Sequence, residues 1–285
     1  MIRLLSGEDK QIVLEYIERN EIETSFLYGN VIDYGIDNRK EFRRCADYFG
    51  FFSDGRLTGI LPFYNLGSCI PHYEQTEALD AFVQLMKERS FEFLLGMERI
   101  IRPIYNEISG FKDIVECNES SYFINKSFRP YVIDGLEFFD PRQKSDDKEV
   151  IDFIIQMRNR GFHEAVDAEQ VTRSLVPANP EEDVVIAVKD GKMVAYAAIQ
   201  TYTRTLNQIG SVYTAEEERG KGYCKAVVSE LCKKILLKNK LPTLFARNNN
   251  IPAVKAYTAL GFERFDDYLF IKFKMICNSK ITNCG

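Results

Sequence analysis

Two Asp-Gly pairs, each lying between two apolar stretches, are the feature that most restricts how this chain folds. They are Asp54-Gly55 and Asp190-Gly191. An Asp-Gly pair between such stretches is typical of a two-residue turn with positive φ that joins antiparallel strands. The sequence therefore predicts two β-hairpins. Because the two turns lie 136 residues apart, it also predicts an internal duplication of one structural plan.

The elements predicted around the two hairpins follow the same order. In the first half, apolar periodicity predicts helices over residues 8–19 and 38–46, and then strand, helix, strand and helix over residues 67–73, 78–89, 91–97 and 99–109. In the second half it predicts helices over residues 148–160 and 167–175, and then alternating strands and helices over residues 208–214, 222–237, 242–247, 251–260, 263–265 and 268–275. Strands that alternate with helices and end in antiparallel strands predict an α/β (α+β) fold. We expect two mixed, mostly antiparallel sheets with flanking helices, in domains 1–127 and 128–285.

Composition and net charge indicate which kinds of molecule the chain can bind. With 45% hydrophobic and 13% aromatic residues, the chain can bury a substantial core. The net charge is −5, and it is uneven: residues 1–127 carry −7 and residues 128–285 carry +2. An acidic chain lacks the basic surface that nucleic-acid binding requires, so this balance argues against a nucleic-acid partner. The less acidic second half is the more favourable one for an anionic cofactor.

The chain shows no sign of a membrane partner or a metal site. No run approaches 18 apolar residues, and the N-terminus lacks the pattern of a signal peptide. The seven cysteines are widely spaced without a Cys-x-x-Cys pair, which favours reduced thiols and a cytoplasmic location. His72 and His163 are the two histidines, and neither is close to a cysteine pair. The sequence therefore predicts no metal.

A short glycine-containing loop, Arg219–Gly222, opens the predicted helix at 222–237. It follows the apolar strand that ends at Val212–Thr214 and three glutamates, Glu216–Glu218. Unpaired backbone amides at the start of a helix favour an anion such as a diphosphate, and glycines let the backbone approach it closely. In isolation such a loop is as often a simple turn, and exposed basic residues are commonly solvated.

A second motif surrounds the next predicted helix. Asn250 is suited to cap that helix, Pro252 falls in its first turn, and Gly261 is suited to its end. These residues also have a purely structural explanation. Tyr257 within the helix could be an ordinary core aromatic, but the upstream anion-type loop makes it a candidate proton donor.

Together the two motifs resemble those of the GNAT superfamily of N-acetyltransferases. The family's acetyl-CoA motif, Gln/Arg-x-x-Gly-x-Gly/Ala, is matched by Arg219 and Gly222, with Cys224 in the last position. Its second motif, Asn-x-x-Ala-x-x-x-Tyr-x-x-x-Gly-Phe, is matched in full by Asn250, Ala253, Tyr257, Gly261 and Phe262. The resemblance covers about residues 135–275, whereas the first half is similar to the fold without these motifs. It implies two tandem GNAT-like domains, the first of them degenerate.

The resemblance implies an acetyl-CoA-dependent transfer to a primary amine of a small molecule or peptide, with Tyr257 as the general acid. The residues that would bind the cofactor are Val212, Tyr213, Thr214, Arg219, Gly220, Lys221, Gly222, Tyr223, Cys224, Asn250 and Ala253. No residue is assigned as the general base. Two alternatives stay open: a catalytically inactive acyl-CoA-binding or sensor module, and a tRNA-dependent aminoacyl transferase. The acidic first half argues against the second of these.

Overall fold

A computed structural model describes residues 1–176 and 179–274. Two compact units are present. The first consists of Met1–Ser121 and the described residues from Asp266 onward, and the second is Tyr122–Phe265. Each unit contains mixed α/β structure with a mostly antiparallel sheet and flanking helices, as the sequence predicted.

The first unit contains a four-stranded antiparallel sheet and further paired strands. Its elements are β1 (Ile2–Leu4), α1 (Lys10–Arg19), α2 (Ser25–Tyr34), β2 (Ala46–Ser53), β3 (Arg56–Tyr64), β4 (Ser68–Cys69), β5 (His72–Tyr73), α3 (Glu77–Glu88), β6 (Phe93–Met97) and α4 (Glu98–Ile108). The sheet has the order β1-β2-β3-β5. Strand β6 pairs in parallel with β4. A strand labelled β7 (Ile114–Asn125) then leads from the first unit into the second.

The second unit contains a sheet that runs β7-β12-β11-β10-β9-β8. Its elements are β8 (Leu136–Phe139), α5 (Lys148–Gln156), α6 (Ala168–Ser174), β9 (Val184–Lys189), β10 (Lys192–Tyr202), β11 (Leu206–Thr214), α7 (Tyr223–Leu237), β12 (Leu241–Arg247) and α8 (Ile251–Ala259). Strands β8 to β11 pair antiparallel, whereas β11 and β12 pair in parallel. Residues of α7 pack on one face of this sheet and residues of α5 and α6 on the other.

Both predicted hairpins are confirmed. Asp54 and Gly55 have φ of 50° and 76°, and Asp190 and Gly191 have φ of 49° and 76°. Two successive residues with positive φ make the turn whose twist matches that of the flanking strands. The turns join β2 to β3 and β9 to β10.

The helix expected over residues 38–46 was wrong. The second helix of the first unit is α2, which ends at Tyr34 and is capped by Gly35, whose φ is 78°. The following segment is a loop in which Asn38 donates a hydrogen bond to Asp47 at 2.6 Å and a second one to Asn65 at 3.2 Å. Asn65 in turn donates to the carbonyls of Arg39 at 3.0 Å and Phe42 at 2.8 Å. Backbone acceptors of this segment therefore bond to a side chain outside it instead of to a helical ladder, and the local sequence pattern does not indicate this.

The single strand expected over residues 67–73 was also wrong, because it is divided into β4 and β5. Strand β4 pairs with β6, whereas β5 pairs with β3. Pro71 lies between them and has no backbone N–H for a sheet ladder. The two ends of this apolar segment therefore pair with different strands.

The two strands expected over residues 263–265 and 268–275 form one strand, β13 (Phe262–Phe273); Met275 lies outside the described residues. Over Tyr268–Lys272, β13 pairs antiparallel with β6 of the first unit. This pairing is why the described residues from Asp266 onward belong to the first unit, although the sequence-based domain 128–285 includes them. None of the helices within residues 1–176 and 179–274 is both long and apolar enough to cross a bilayer.

Candidate active site

The parallel register between β11 and β12 stops partway along both strands. Both strands lie wholly within the described residues, and their last pair is Ile209 with Leu244. Strand β11 nevertheless continues to Thr214, paired on its other side with β10. The edge of residues 210–214 that faces away from β10 is therefore unpaired, and we call it the open edge of β11. Such an edge presents backbone donors and acceptors to an added extended chain.

A bulge in β11 changes the direction of the strand at the start of the open edge. Tyr213 pairs with Tyr196, but Gly210 pairs with Ala198, so β11 contains one more residue than β10 in this interval. Ser211 within the bulge has φ of 51°. Because a bulge bends a strand and increases its twist, it accounts for the separation of β11 from β12 after Ile209.

The open edge leads through a single 3₁₀ turn, Glu216–Glu218, to the start of α7. Residues 220–224, which we call the amide turn, contain two glycines with left-handed φ, Gly220 at 80° and Gly222 at 88°. Gly222 caps α7, and no side chain caps the helix. The first amide that bonds back to Gly222 is that of Ala226, so the amides before it precede the helical ladder. Their N–H groups and the helix dipole together favour an anion.

The two basic side chains of the predicted loop are already paired with acids. Lys221 lies 2.7 Å from Glu218, and Arg219 lies 3.7 Å from Glu216. Both basic side chains are more than half exposed, and ion pairs of this kind contribute little to stability. Anion binding at the amide turn therefore depends on the main-chain amides first.

Helix α8 begins as the sequence predicted. The carboxamide oxygen of Asn250 accepts a hydrogen bond from the amide of Ala253 at 3.3 Å, and Pro252 lies in the first turn. The structure thus gives Asn250 a capping role, and the part of Asn250 and Ala253 in cofactor binding stays a prediction.

Tyr257 points into the core of the second unit, where 6% of the residue is exposed. Its ring centroid lies 6.0 Å from that of Phe262. Burial raises the pKa of Tyr257 far above its usual range, and the nearby Cys224 adds to the effect. The phenol therefore keeps its proton at physiological pH, as a general acid requires.

Cys224 is a neutral thiol. Burial raises its pKa to about 11, although Lys225 opposes the shift. Since the thiolate is the reactive form, this cysteine is poorly suited to act as a nucleophile. The resemblance places Cys224 among the cofactor contacts, in the last position of the acetyl-CoA motif.

The side chains of Tyr213 and Val212 lie on opposite faces of the sheet. The Tyr213 ring packs against Phe153 of α5 with centroids 6.2 Å apart, whereas Val212 contacts the α7 side. A π-helical turn, Met157–Gly161, follows α5, and a Cβ added at Gly161 would lie 2.7 Å from Tyr213 Cδ2. At Tyr213, the open edge therefore offers main-chain groups rather than the side chain.

Several acids of the second unit are held in ion pairs. Glu216 and Glu218 pair with the basic residues of the loop, and Asp183 lies 2.7 Å from Lys238. These pairs favour the ordinary surface role for all three.

Tyr131 also lies at the candidate site, although the sequence did not indicate it. A Cβ added at Gly222 would lie 2.6 Å from the Tyr131 hydroxyl oxygen, so the tip of the ring lies against the amide turn. Its neighbour across the ring is Lys225, whose Nζ is 4.1 Å from the ring centroid. No local pattern indicates this contact, because Tyr131 precedes Gly222 by some ninety residues and belongs to no predicted element.

The first unit has a different junction where β5 leads into α3. Glu74 follows β5 and forms an ion pair with Arg19 at 2.6 Å. A carboxylate therefore lies at the position where an anion-binding site would need free backbone amides. Nearby, His72 Nε2 lies 2.7 Å from Glu23 and its Nδ1 lies 2.6 Å from the Tyr16 hydroxyl. This junction matches the sequence-based expectation that the first half has no counterpart of Arg219–Gly222.

Residues 151–262 match a family model described as the acetyltransferase (GNAT) family. Over these residues the chain is similar to GNAT acetyltransferases. The matched residues begin in α5 and end at the start of β13, so the GNAT match includes the open edge, the amide turn and Tyr257. Tyr131 lies outside it.

Solved structures share the fold of the chain at low identity. An acetyltransferase of the GNAT family from Colwellia psychrerythraea aligns with a TM-score of 0.58 at 14% identity, covering 96% of this chain and 100% of that one. A GCN5-related N-acetyltransferase from Sphaerobacter thermophilus aligns with a TM-score of 0.62 at 13% identity, covering 96% and 95%. A tandem GNAT protein from the clavulanic acid biosynthesis pathway aligns with a TM-score of 0.61 at 13% identity, covering 95% and 97%. The comparison with curated proteins gives no match.

Proposed function

We propose that this chain is an acetyl-CoA-dependent N-acetyltransferase that transfers an acetyl group to a primary amine of a small molecule or peptide. The observation that carries the proposal is the continuity of the open edge of β11 with the amide turn, inside the residues that match the GNAT family. An extended thiol arm followed by a diphosphate has the shape and charge that these two features accept. The proposed cofactor contacts are Val212, Tyr213, Thr214, Arg219, Gly220, Lys221, Gly222, Tyr223, Cys224, Asn250 and Ala253.

Acetyl-CoA supplies an activated acetyl group as a thioester. The amides of residues 220–224 hold its diphosphate, and the open edge of β11 orients its arm as an added strand. A main-chain N–H of that edge donates to the acetyl carbonyl oxygen as negative charge develops there, an interaction worth about 3–4 kcal/mol where such donors have been removed. The acceptor nitrogen bonds to the carbonyl carbon while the carbon–sulfur bond breaks.

Tyr257 acts as the general acid in this proposal. Its hydroxyl gives a proton to the departing sulfur and becomes a phenolate, the attacking nitrogen loses its proton to solvent water, and the phenolate then recovers a proton from solvent. Burial raises the pKa of Tyr257, which keeps the donor protonated before the transfer but also makes its proton harder to release. The transfer therefore requires the thiolate to form directly beside the hydroxyl.

The proposed acid is tested by Tyr257→Phe. We expect turnover to fall about 100-fold or more, the lower range for general acid catalysis, while the Kd for coenzyme A stays within about twofold. Turnover is followed by release of free thiol with a panel of amines, and Kd by calorimetry. Tyr105→Phe, on α4 of the first unit, is the matched control. Unchanged turnover of the Tyr257 variant would remove the acid role.

One observation favours a second candidate, an acyl-CoA-binding module without turnover. Glu216, Glu218 and Asp183 are held in ion pairs, and no residue is assigned as the general base. Coenzyme A binding by the wild-type chain, with no acetylation across the amine panel, would select this candidate.

The activity is assigned to the second predicted domain, residues 128–285, and residues 1–127 form a degenerate GNAT-like domain. The acid-rich junction after β5 supports this division.

We also propose a reducing, cytoplasmic location. The described cysteines are free thiols, which supports it; they are Cys45, Cys69, Cys117, Cys224 and Cys232.

A further inference from the structure

We propose that Tyr131 and Lys225 complete the diphosphate site, with the Tyr131 hydroxyl donating a hydrogen bond to the bound diphosphate. This inference rests on the proposed function, because it adds two side chains to the same site. It goes beyond the family match, which begins at residue 151 and does not include Tyr131.

The first support is the position of the phenol. The contact with Gly222 places the hydroxyl beside the second left-handed glycine of the amide turn. At this point the backbone N–H groups precede the helical ladder of α7. In the proposed site, a phosphate oxygen that accepts from these amides also accepts from the hydroxyl.

The second support is the fixed backbone around Tyr131. The amide of Tyr131 donates to Ser229 Oγ at 2.9 Å, and Ser229 is fully buried on α7. Two residues earlier, the amide of Arg129 donates to the carbonyl of Leu260 at 2.9 Å, and the Asn125 side chain donates to the same carbonyl. The chain segment that carries Tyr131 is thus tied to both α7 and the end of α8. Because the backbone that carries the Tyr131 ring is fixed, the residue loses little conformational freedom when it binds a ligand.

The third support is the chemistry of the pair. Within residues 1–176 and 179–274, the Tyr131 hydroxyl donates to no other group, and Lys225 forms no ion pair with a carboxylate. Arg219 and Lys221, in contrast, are both paired with glutamates. The Lys225 ammonium, 4.1 Å from the Tyr131 ring centroid, is held beside the ring by a cation–π contact. The pair therefore places a neutral hydrogen-bond donor, the Tyr131 hydroxyl, and a cation without a carboxylate partner, the Lys225 ammonium, next to the backbone amides of the amide turn.

Calorimetric titration of the full chain with coenzyme A and with 3′-dephospho-coenzyme A tests this inference, since both ligands contain the diphosphate. We expect Tyr131→Phe to raise the Kd about tenfold for both ligands, the loss typical of a hydrogen bond to a charged group. Lys225→Met is expected to weaken both ligands too, whereas the control Tyr105→Phe leaves both unchanged.

The other outcomes each overturn the inference. Unchanged binding by Tyr131→Phe means that the hydroxyl does not contact the ligand, and tighter binding means that the ring obstructs the site. A loss seen with coenzyme A alone assigns the contact to the 3′-phosphate instead of the diphosphate. If the wild-type chain binds neither ligand, both the inference and the proposed function fail, whereas wild-type binding with an unaffected variant refutes the inference alone.

Discussion

The two glycines of the amide turn provide a matched pair of substitutions. Gly220 and Gly222 have nearly the same left-handed φ, 80° and 88°. An alanine in this region costs about 1–2 kcal/mol because its Cβ approaches the neighbouring carbonyl oxygen. We therefore expect Gly220→Ala and Gly222→Ala to share this backbone cost.

The surroundings of the two glycines differ. A Cβ at Gly220 meets no atom within 4 Å, whereas a Cβ at Gly222 meets the Tyr131 hydroxyl oxygen at 2.6 Å and two ring carbons at 3.3 Å. The ring must move, which disturbs its packing and the contact with Lys225. Overpacking of this kind typically costs about 1–3 kcal/mol. Because only the far end of the ring is in the way, the lower end of this range applies, and Gly222→Ala should destabilise by about 1 kcal/mol more than Gly220→Ala.

Urea unfolding followed by far-ultraviolet circular dichroism measures this difference, since the chain has no tryptophan. Comparison of midpoints at equal slope isolates the change in the free energy of unfolding. In a Tyr131→Ala background the clash is absent, so the two glycine variants should become equal within about 0.5 kcal/mol, the usual limit of additivity. If the two single variants already destabilise equally, the placement of Tyr131 against Gly222 is refuted.

Two further predictions concern stability. Although burial alone raises the pKa of Glu23, hydrogen bonds from His72 and Arg99 lower it to about 2. Its unfolded value is about 4.3, so its contribution is complete above that pH and is lost as the pH falls toward 2. Glu23→Gln should flatten this acid dependence of the urea midpoint, and an unchanged slope would contradict the assignment. Asn250→Ala should cost about 1 kcal/mol through loss of the α8 cap. Asn250→Asp should retain most of that stability, and equal losses in both variants would exclude the cap as the cause.

The local features of the fold were readable from the sequence. The Asp-Gly turns, the Asn250 cap and the glycines of the amide turn were all placed correctly. Each depends on the φ preference or hydrogen-bonding capacity of residues close together in the chain. The two motifs in their order also pointed to the GNAT family, which the match over residues 151–262 supports.

Features that depend on distant partners were not readable. The apolar segment 67–73 forms two strands because one end pairs with β6 and the other with β3. The segment 38–46 forms a loop in which Asn38 bonds to Asp47 and Asn65. The assignment of β13 residues to the first unit likewise depends on β6. Apolar periodicity shows that a segment can be buried and leaves its partner undetermined.

The candidate site divides in the same way. The sequence alone determined its chemistry: a run of amides at a helix start, a tyrosine on the next helix and a strand before both. The tertiary structure decided that β11 leaves β12 after Ile209, that Tyr257 is buried, and that Tyr131 lies against Gly222. Backbone conformation follows from neighbouring residues, whereas strand separation, burial and the approach of a side chain some ninety residues away depend on how the whole unit packs.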